Sequence, residues 1–333
     1  MRLLIVTPAP CGSTKGNRIT AERWQCHLQE LGHHVQLSDL QLSDLQVAKQ
    51  WADQEFDGLV CLHATRSQEL IASFQLQFPG RPVVLCLTGT DLHLDLQGHH
   101  GGEAKRRALD SISRSTRLVL LEPEGAKYLP DDVQSKVCVI YQSASPVQKW
   151  PTATSQAFEI CVLGHLRPEK DPFVAAQAAA RLPAASRIKI IQIGAALSEE
   201  MEMLARHQMD QNPRYKWLGM LPRHEAQHRL SGSRLMVLSS KVEGAPSVIS
   251  EAIVNGVPIL ATRIPATIGL LGADYPGLFP VGDVDALLEM MTRAENERGF
   301  LTTLTHWTAN LATKFEPAAE RESLSRLIDS LAG

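Results

Sequence analysis

Two glutamates flank a segment that is typical of a helix start. In KVEGAPSVISEAIVNGVPILAT, which begins at Lys241, Glu243 and Glu251 lie eight positions apart. Pro246 suits the first position of a helix that Gly256 would end. Free N–H groups at a helix start attract an anion, and carboxylates accept hydrogen bonds from sugar diols. The pattern therefore predicts a sugar–diphosphate site formed by Glu243, Gly244, Ala245, Pro246, Ser247, Val248 and Glu251.

A second loop carries two cations. The segment GHLRPEKDP, from Gly164 to Pro172, follows an apolar run and places Arg167 and Lys170 just ahead of a predicted helix. Two cations at a strand-to-helix turn can hold a diphosphate and stabilise its charge as it departs. The alternative is a solvated loop with two surface cations.

A third loop lies near the N-terminus, in TPAPCGSTKGNRITAERW. Its glycines allow close approach of a ligand to the backbone, and its cations predict an anion site. The candidate residues are Gly12, Lys15, Gly16, Asn17, Arg18 and Thr20. The spacing matches neither GxGxxG nor GxxxxGK[ST], so it indicates neither a dinucleotide site nor a P-loop. The alternative is an ordinary β-α turn capped by Asn17 or Thr20, with Cys11 as a small loop residue.

Two further loops contain polar side chains directly after apolar runs. HATR contains His63 and Arg66, and LTGTDLH contains Thr88, Thr90 and Asp91. These side chains are predicted to point into a ligand cleft and bind an acceptor. Alternatively, they cap the helices that follow.

Short apolar runs alternate with amphipathic segments along almost the whole chain. This pattern predicts an α/β fold with two doubly wound, Rossmann-like domains whose parallel sheets are covered on both faces. The predicted boundaries are 1–145 for an acceptor domain and 157–313 for a nucleotide-sugar domain, with a C-terminal helix in 314–333 that can cross back to the first domain. The polar segment Gln142–Gln156 is predicted to be a linker. Open α/β sheets bind ligands at the carboxyl ends of their strands, so two facing domains imply a cleft there.

The strand predictions follow from the apolar runs. They are Leu3–Thr7, Val35–Leu37, Gly58–His63, Pro82–Thr88, Leu118–Leu121 and Val137–Tyr141 in the first domain, and Phe158–Leu163, Ile188–Ile193, Leu235–Leu238, Val257–Ala261 and Leu278–Val281 in the second.

Composition excludes several classes of protein. The 333 residues are 44% hydrophobic and 21% charged, with a formal net charge of −3, which gives no reason to expect nucleic acid as a partner. No apolar run approaches the roughly 20 residues of a membrane span. The six cysteines lack the spacing of a zinc site, and most lie in strand-like runs, so we expect reduced, buried thiols and a cytoplasmic protein.

The R-x-x-K element of Arg167 and Lys170, together with the E-x7-E element of Glu243 and Glu251, resembles the family 4 glycosyltransferases of GT-B fold. The resemblance covers essentially the whole chain. It implies that Arg167 and Lys170 bind the donor diphosphate, that Glu243 contacts the transferred sugar and that Glu251 contacts the ribose. By the same resemblance, Arg167, Lys170 and Glu243 would be the catalytic residues. By the same resemblance, Gly164 and the Leu218–Gly219 loop would lie in the donor site, with Gly219 near the nucleobase.

A narrower resemblance comes from TPAPCGSTKGNRITAERW, LHATRS, LTGTDL and HLRPEKDPF, which look like the selenosugar synthases of selenoneine biosynthesis. Those enzymes join selenophosphate to the sugar of a UDP-sugar, typically UDP-N-acetylglucosamine. The resemblance implies small-molecule substrates, no metal or other cofactor, and coupling to other enzymes of that pathway. Many family 4 enzymes carry a histidine-containing turn after the fourth strand of the first domain, near the acceptor. This chain has Thr88-Gly89-Thr90-Asp91 in that place, which fits an acceptor that is already an anion and needs no base.

Other functions remain open from the residues. One is a conventional family 4 enzyme with a hydroxyl acceptor, and another is a protein that binds a nucleotide sugar without catalysis. The amphipathic segment Thr20–Leu31 is not basic, which favours a small soluble acceptor and no stable membrane association.

Overall fold

The computed structural model describes residues 1–13, 15–40, 55–148 and 157–331. The chain divides into two compact units. The first comprises residues 1–142, 243–245 and 317–333, and the second comprises residues 143–242 and 246–316. Nothing in the sequence pattern indicated that three residues of the Glu243 loop would join the first unit.

The first unit contains a six-stranded sheet in the order β2-β1-β3-β4-β5-β6, and every pairing in it is parallel. The strands are β1 Arg2–Thr7, β2 His34–Asp39, β3 Gly58–Leu62, β4 Val83–Leu87, β5 Arg117–Leu120 and β6 Val137–Val139. Its helices are α1 Gly16–Glu30, α2 Ala64–Gln77, α3 Gly102–Arg114 and α11 Pro317–Asp329.

Successive residues of β1 point to opposite faces of this sheet, and both faces are covered. Leu4 and Val6 join a buried cluster that includes residues of α2 and α3. Leu3 and Ile5 join a second cluster that includes residues of α1 and α11. Because both faces are buried, the strands need apolar side chains at every position, which is why they appear in the sequence as continuous apolar runs.

The second unit has a six-stranded parallel sheet in the order β12-β11-β10-β7-β8-β9. The strands are β7 Phe158–Leu163, β8 Ile188–Ile193, β9 Tyr215–Trp217, β10 Leu235–Leu238, β11 Ile259–Thr262 and β12 Leu278–Phe279. The helices are α4 Val174–Ala180, α5 Glu199–Gln211, α6 Arg223–Gly232, α7 Ser247–Val254, α8 Pro265–Leu271, α9 Val284–Asn296 and α10 Arg298–Leu311. The strand order reverses between β7 and β10, the point at which sheets of this kind bind ligands.

The predicted fold class is confirmed, and all eleven predicted strands are present within a few residues of their predicted ends. The twelfth, β9, was missed. It has three residues, YKW, with exposed Lys216 between Tyr215 and Trp217, and so lacks an apolar run.

The predicted linker was expected to be solvated, but its first residues are buried. Gln142 and Ser143 are buried, and the N–H of Ala144 donates to the carbonyl of Phe315 at 3.0 Å. Residues 149–156 of that prediction lie outside the described residues.

The prediction of reduced, buried thiols in the strands is largely confirmed. All six cysteines are free, and Cys61, Cys86 and Cys161 are buried. Burial raises the pKa of Cys61 and of Cys161 to about 12, so these thiols stay protonated.

A buried carboxylate fastens the C-terminal helix α11 to α1. The Glu320 side chain accepts from Arg23 Nε at 2.6 Å, from Arg23 Nη2 at 3.0 Å and from Trp24 Nε1 at 2.8 Å. It has no solvent exposure. Removing one partner of such a network leaves an uncompensated buried charge.

We therefore expect Glu320→Ala to destabilise the first unit by about 3 kcal/mol. Denaturant-induced unfolding followed by circular dichroism measures the change. The matched control is Glu30→Gln, which removes the exposed ion pair between Glu30 and Arg321 on the same two helices. That variant should unfold like the wild type, and equal effects of the two changes would contradict the assignment.

Candidate functional site

The cationic turn after β7 is held by hydrogen bonds to the segment that follows β10. Arg167 is followed by a 3₁₀ turn, Pro168–Lys170. The Ser239 hydroxyl donates to the carbonyl of Asp171 at 2.8 Å and to that of Lys170 at 3.3 Å. These contacts fix the turn at the point where the strand order of the second sheet reverses.

A backbone hydrogen bond adds to this attachment. The N–H of Lys241 donates to the carbonyl of Glu169 at 2.8 Å. The structure therefore brings the two predicted cations, Arg167 and Lys170, to the segment that leads toward Glu243.

The two cations of this turn lie close enough to His165 to affect its pKa. His165 is half-buried, and its Nδ1 accepts from the N–H of Ala195 at 3.2 Å. Burial lowers the pKa of His165, and the charges of Arg167 and Lys170 lower it further. The turn therefore has the positive potential that a diphosphate requires.

Three loops of the second sheet meet through glycine backbones. Gly194, after β8, has a φ of 146°, and its N–H donates to the carbonyl of Gly219 at 2.9 Å. A Cβ atom on Gly194 would overlap the carbonyl oxygen of Gly164 and lie 2.8 Å from the nitrogen of His165. The predicted donor residues Gly164 and Gly219 are thus brought together through Gly194, which the sequence analysis overlooked.

Helix α7 carries Glu251 in its second turn, and Pro246 occupies the position just before the helix instead of the predicted first position. Ser247 and Val248 form its first turn, and no side chain caps it at Pro246. The first turn therefore has no side-chain cap at Pro246 that would compete with an anion, and the anion site that the sequence predicts here stays a prediction.

The Glu251 carboxylate has a cationic neighbour that sequence reasoning missed. Its Oε1 lies 3.2 Å from Nη2 of Arg223, the first residue of α6. The Glu251 side chain is nine-tenths buried, whereas half of the Arg223 side chain is exposed. A guanidinium at this distance stabilises the carboxylate as an anion and fixes its orientation. No spacing rule connects residues 28 positions apart, which is why the pattern did not reveal it.

Residues 243–245 belong to the first unit because the backbone of Gly244 packs directly against that of Gly89. A Cβ atom on Gly244 would lie 2.5 Å from Cα of Gly89 and would overlap the carbonyl oxygen of Thr88. The Gln142 side chain donates to the carbonyl of Ala245 at 2.7 Å. The structure thereby joins the predicted donor residues 243–245 to the predicted acceptor loop after β4.

Asp91, which was predicted to point into a ligand cleft or to cap a helix, is bonded to the protein backbone. It is fully buried, and its two oxygens accept four backbone N–H groups at 2.8–3.1 Å, those of Ala64, Thr88, Gly89 and Leu92. Its acceptor capacity is used within the protein. Asp91 therefore joins the loops after β3 and β4 and holds their shape.

His63 adopts a strained backbone conformation at the end of β3, with φ 79° and ψ 106°. Its imidazole is buried, with Nε2 3.3 Å from the Thr90 hydroxyl. Within the described part of the chain, neither Nδ1 of His63 nor the Thr88 hydroxyl has a hydrogen-bond partner. Strain of this kind concentrates at functional sites. Arg66, one turn later in α2, is exposed.

The N-terminal loop offers less positive charge than the sequence suggests. Arg18 is largely buried, and its Nε lies 2.6 Å from Oε1 of Glu22. The Thr20 hydroxyl donates to the Gln142 side chain at 2.9 Å, so both side chains have internal partners. Lys15 is exposed just before α1, and Gly12, Gly16 and Asn17 are at least partly exposed. The acceptor site predicted for these four residues stays a prediction.

No group of three or more His, Cys, Asp or Glu residues in ranges 1–13, 15–40, 55–148 and 157–331 could hold a metal ion. In the same ranges, no helix is both long and apolar enough to cross a membrane.

Comparison with known proteins identifies relatives of this chain. The family described as Glycosyl transferases group 1 matches residues 148–314. The Bacillus subtilis (strain 168) protein TuaC, named as a teichuronic acid biosynthesis glycosyltransferase, is 34% identical over 80 residues. That stretch is 24% of this chain and spans only 21% of the relative.

Solved structures share the fold over the full length. HepE of Anabaena in complex with UDP has a TM-score of 0.79 at 17% identity, covering 99% of this chain and 100% of that one. The same protein in complex with UDP-glucose has a TM-score of 0.77 at 17% identity, with the same coverage. Sucrose-phosphate synthase from Thermosynechococcus elongatus has a TM-score of 0.80 at 13% identity, covering 99% of each chain. The predicted GT-B architecture is confirmed at the level of the fold.

The effect of Arg167 and Lys170 on the pKa of His165 can be tested by removing each positive charge in turn. Arg167→Gln should raise the pKa of His165, because a nearby positive charge disfavours the imidazolium, and Lys170→Gln should raise it by less. A proton NMR titration of the His165 ring measures both changes. Lys189→Gln is the control, since Lys189 lies near the amino end of β8, at the opposite edge of the sheet. An unchanged pKa in Arg167→Gln would show that the turn does not act on His165.

Proposed function

Because the chain belongs to the group 1 glycosyl transferase family, we propose that it transfers the sugar of a UDP-sugar to a small nucleophile. The observation that carries this proposal is the cationic turn of Arg167 and Lys170, fixed where the second sheet reverses its strand order. HepE, which has the same fold, is solved with UDP-glucose, and this supports a uridine diphosphate donor.

The donor residues have separate roles in this proposal. Arg167, Lys170 and the backbone N–H groups of Ala245, Ser247 and Val248 neutralise the diphosphate as the bond between C1 and the diphosphate oxygen breaks. Glu243 accepts from hydroxyls of the transferred sugar, and Glu251, oriented by Arg223, accepts from the ribose diol. Gly219 lies near the base. Because two cations and a helix start supply the positive charge, we propose that the reaction needs no metal ion.

We further propose that the nucleophile is selenophosphate and that UDP-N-acetylglucosamine is the donor. Selenium forms the bond to C1 while the diphosphate leaves with the bonding electrons as UDP. Water then attacks phosphorus, the P–Se bond breaks, and a 1-selenosugar and phosphate remain. The support is the resemblance of the loops around Gly12, His63, Thr88 and Arg167, together with the turn Thr88-Gly89-Thr90-Asp91 in the place where many family 4 enzymes carry a histidine-containing turn.

One observation favours a second acceptor class. The ion pair between Arg18 and Glu22 reduces the positive charge that the N-terminal loop can offer to an anion. A neutral hydroxyl acceptor would not need that charge. A conventional transferase that forms an oxygen-linked glycoside is therefore the second candidate.

Product analysis separates these functions. The purified protein is incubated with UDP-glucose, UDP-N-acetylglucosamine or UDP-galactose, with selenophosphate or with a panel of small hydroxyl compounds, and products are identified by mass spectrometry. A selenosugar with equimolar UDP supports the first candidate, and an oxygen-linked glycoside supports the second. UDP binding without UDP-sugar turnover under any condition would contradict both and indicate a binding protein.

Lys170→Ala should lower turnover roughly 100-fold, the scale on which enzymes lose rate when one contact to developing charge is removed. Steady-state UDP release measures it. The control is Lys105→Ala, which removes a lysine from helix α3 of the first unit. Wild-type turnover in Lys170→Ala would exclude this residue from the reaction.

The two glutamates should differ in what they bind. Glu251→Gln should weaken the UDP-sugar and free UDP alike, because both contain the ribose. Glu243→Gln should weaken only the UDP-sugar, because free UDP lacks the hexose. Calorimetric titration of each variant with both ligands tests this division. A loss of UDP affinity in Glu243→Gln equal to that in Glu251→Gln would show that the roles are wrongly divided.

A further inference from the structure

The carboxyl group of Glu122 is buried in the first unit, just after β5, and the residue is 1% exposed. Its Oε2 accepts from the N–H of Glu124 at 2.7 Å, whereas its Oε1 has no hydrogen-bond partner among the described residues. Lys127, a little further along the chain, is paired with Glu124 instead. Charged carboxylates are almost never fully buried without a partner, so this environment favours the protonated form of Glu122.

Apolar side chains lie beside Oε1 of Glu122. A Cβ atom on Gly125 would be 3.1 Å from this oxygen, 2.8 Å from Cδ2 of Leu92 and 3.4 Å from Cδ2 of Leu120. Both leucines are buried. Only a glycine fits between the carboxyl oxygen and these side chains, so the oxygen is kept away from water in a place that disfavours a negative charge.

Glu122 caps the 3₁₀ turn Pro123–Tyr128, in which only Gly125 is buried. This turn packs against the π-helical turn Asp91–Asp95, which follows β4. Gly125 contacts that turn as described, and the Tyr128 ring meets the ring of His93 edge-on, with centroids 5.0 Å apart and planes at 86°. Water can therefore reach Glu122 if one short surface turn moves, without any rearrangement of the sheet.

The groups around the carboxyl agree with a protonated Glu122. Burial raises the pKa of Glu122 to about 7 from its ordinary value of 4.5. The N–H groups of Glu124 and Gly125 and the charge of Lys127 oppose this shift, and the charge of Glu124 adds to it. Tyr141 faces the carboxyl from the chain after β6, and its own pKa is raised by burial and further by the charge of Glu122. The phenol therefore stays neutral and offers no positive charge.

The turn Asp91–Asp95 contributes three more titratable side chains on its side of the contact. Asp91 accepts four backbone N–H groups, and Oδ1 of Asp95 lies 2.6 Å from Nδ1 of His100. Burial lowers the pKa of His93, so its ring is uncharged at neutral pH. None of these three side chains supplies a positive charge that would hold an ionised Glu122.

We propose that Glu122 is a proton switch for the turn Pro123–Tyr128. While the carboxyl holds its proton, the turn lies closed against Asp91–Asp95. When the proton passes to solvent, the carboxylate requires water at Oε1, and the turn opens to admit it. The switch gives the first unit a pH-dependent loop contact next to Thr90, which was predicted to bind the acceptor. It concerns the first unit alone and does not depend on the proposed function.

The direction of the pH dependence follows from the shift. In the opened turn Glu122 meets water, and its pKa returns toward 4.5. Between this value and about 7, the closed turn holds a proton that the opened turn has lost, so each unit of pH favours opening by up to about tenfold. The closed turn is most stable below this window, and the effect levels off above it.

Hydrogen exchange read by mass spectrometry measures the opening of the turn. The wild type is compared with Glu122→Gln, whose amide is uncharged at every pH, on peptides that cover residues 122–129. We expect the wild-type turn, relative to Glu122→Gln at the same pH, to exchange at least about tenfold faster at about pH 8 than at about pH 5. Glu103→Gln, which removes an exposed carboxylate from α3 of the same unit, is the control and should behave like the wild type. An equal ratio at both pH values would overturn the inference.

A second measurement needs no variant and so is unaffected by a folding defect in Glu122→Gln. Carbon-13 NMR of the wild-type side-chain carboxyls follows the ionisation of Glu122, and the Tyr128 ring signals follow the turn. We expect both to change with one midpoint near 7. A Glu122 midpoint near 4.5, or a titration of Glu122 that leaves the Tyr128 ring signals unchanged, would also overturn the inference.

Discussion

The attachment of the cationic turn to the segment after β10 is the constraint on which the second unit's chemistry depends. Parallel strands bring the ends of β7 and β10 side by side, but this alone leaves the loop after β7 free to point away. Ser239 and Lys241 remove that freedom by bonding three successive carbonyls, those of Glu169, Lys170 and Asp171. Asp171 completes the turn in the left-handed region, with φ 44°. Two flexible cationic side chains thereby start from a rigid backbone, which lowers the entropy lost when they bind an anion.

Glycines hold other loops in fixed positions, at contacts where no side chain would fit. Gly194 allows the loops after β7 and β8 to touch, and Gly89 and Gly244 allow residues 243–245 to lie on the loop after β4. Both contacts are closer than any Cβ atom permits, so an alanine would separate the loops. The position of Glu243 in the first unit is therefore a consequence of two glycines, one in each contacting loop.

The sequence predicted the fold well because burial on both sheet faces leaves a strong apolar signal, as β1 and β7 illustrate. It also identified the residues that follow strands, since the carboxyl edge of a parallel sheet is fixed by topology. It could not reveal contacts between distant residues. The Arg223–Glu251 pair and the hydrogen bond from the N–H of Ala64 to Asp91 depend on side-chain directions that no local pattern encodes. Asp91 illustrates the limit, because a carboxylate after a strand appears the same in sequence whether it holds a ligand or the loop itself.

The loops after β3 and β4 combine one carboxylate that is fully hydrogen-bonded with several polar side-chain atoms that have no hydrogen-bond partner among the described residues. Asp91 would be costly to bury unpaired, so its oxygens receive four backbone hydrogen bonds. The unpartnered polar atoms at His63, Thr88 and His93 also cost free energy, and the strained backbone of His63 adds to that cost. A rigid frame around a buried anion can hold such groups in place against their tendency to rearrange. The frame that Asp91 builds is what lets this edge of the sheet present unpaired hydrogen-bonding groups to a polar ligand.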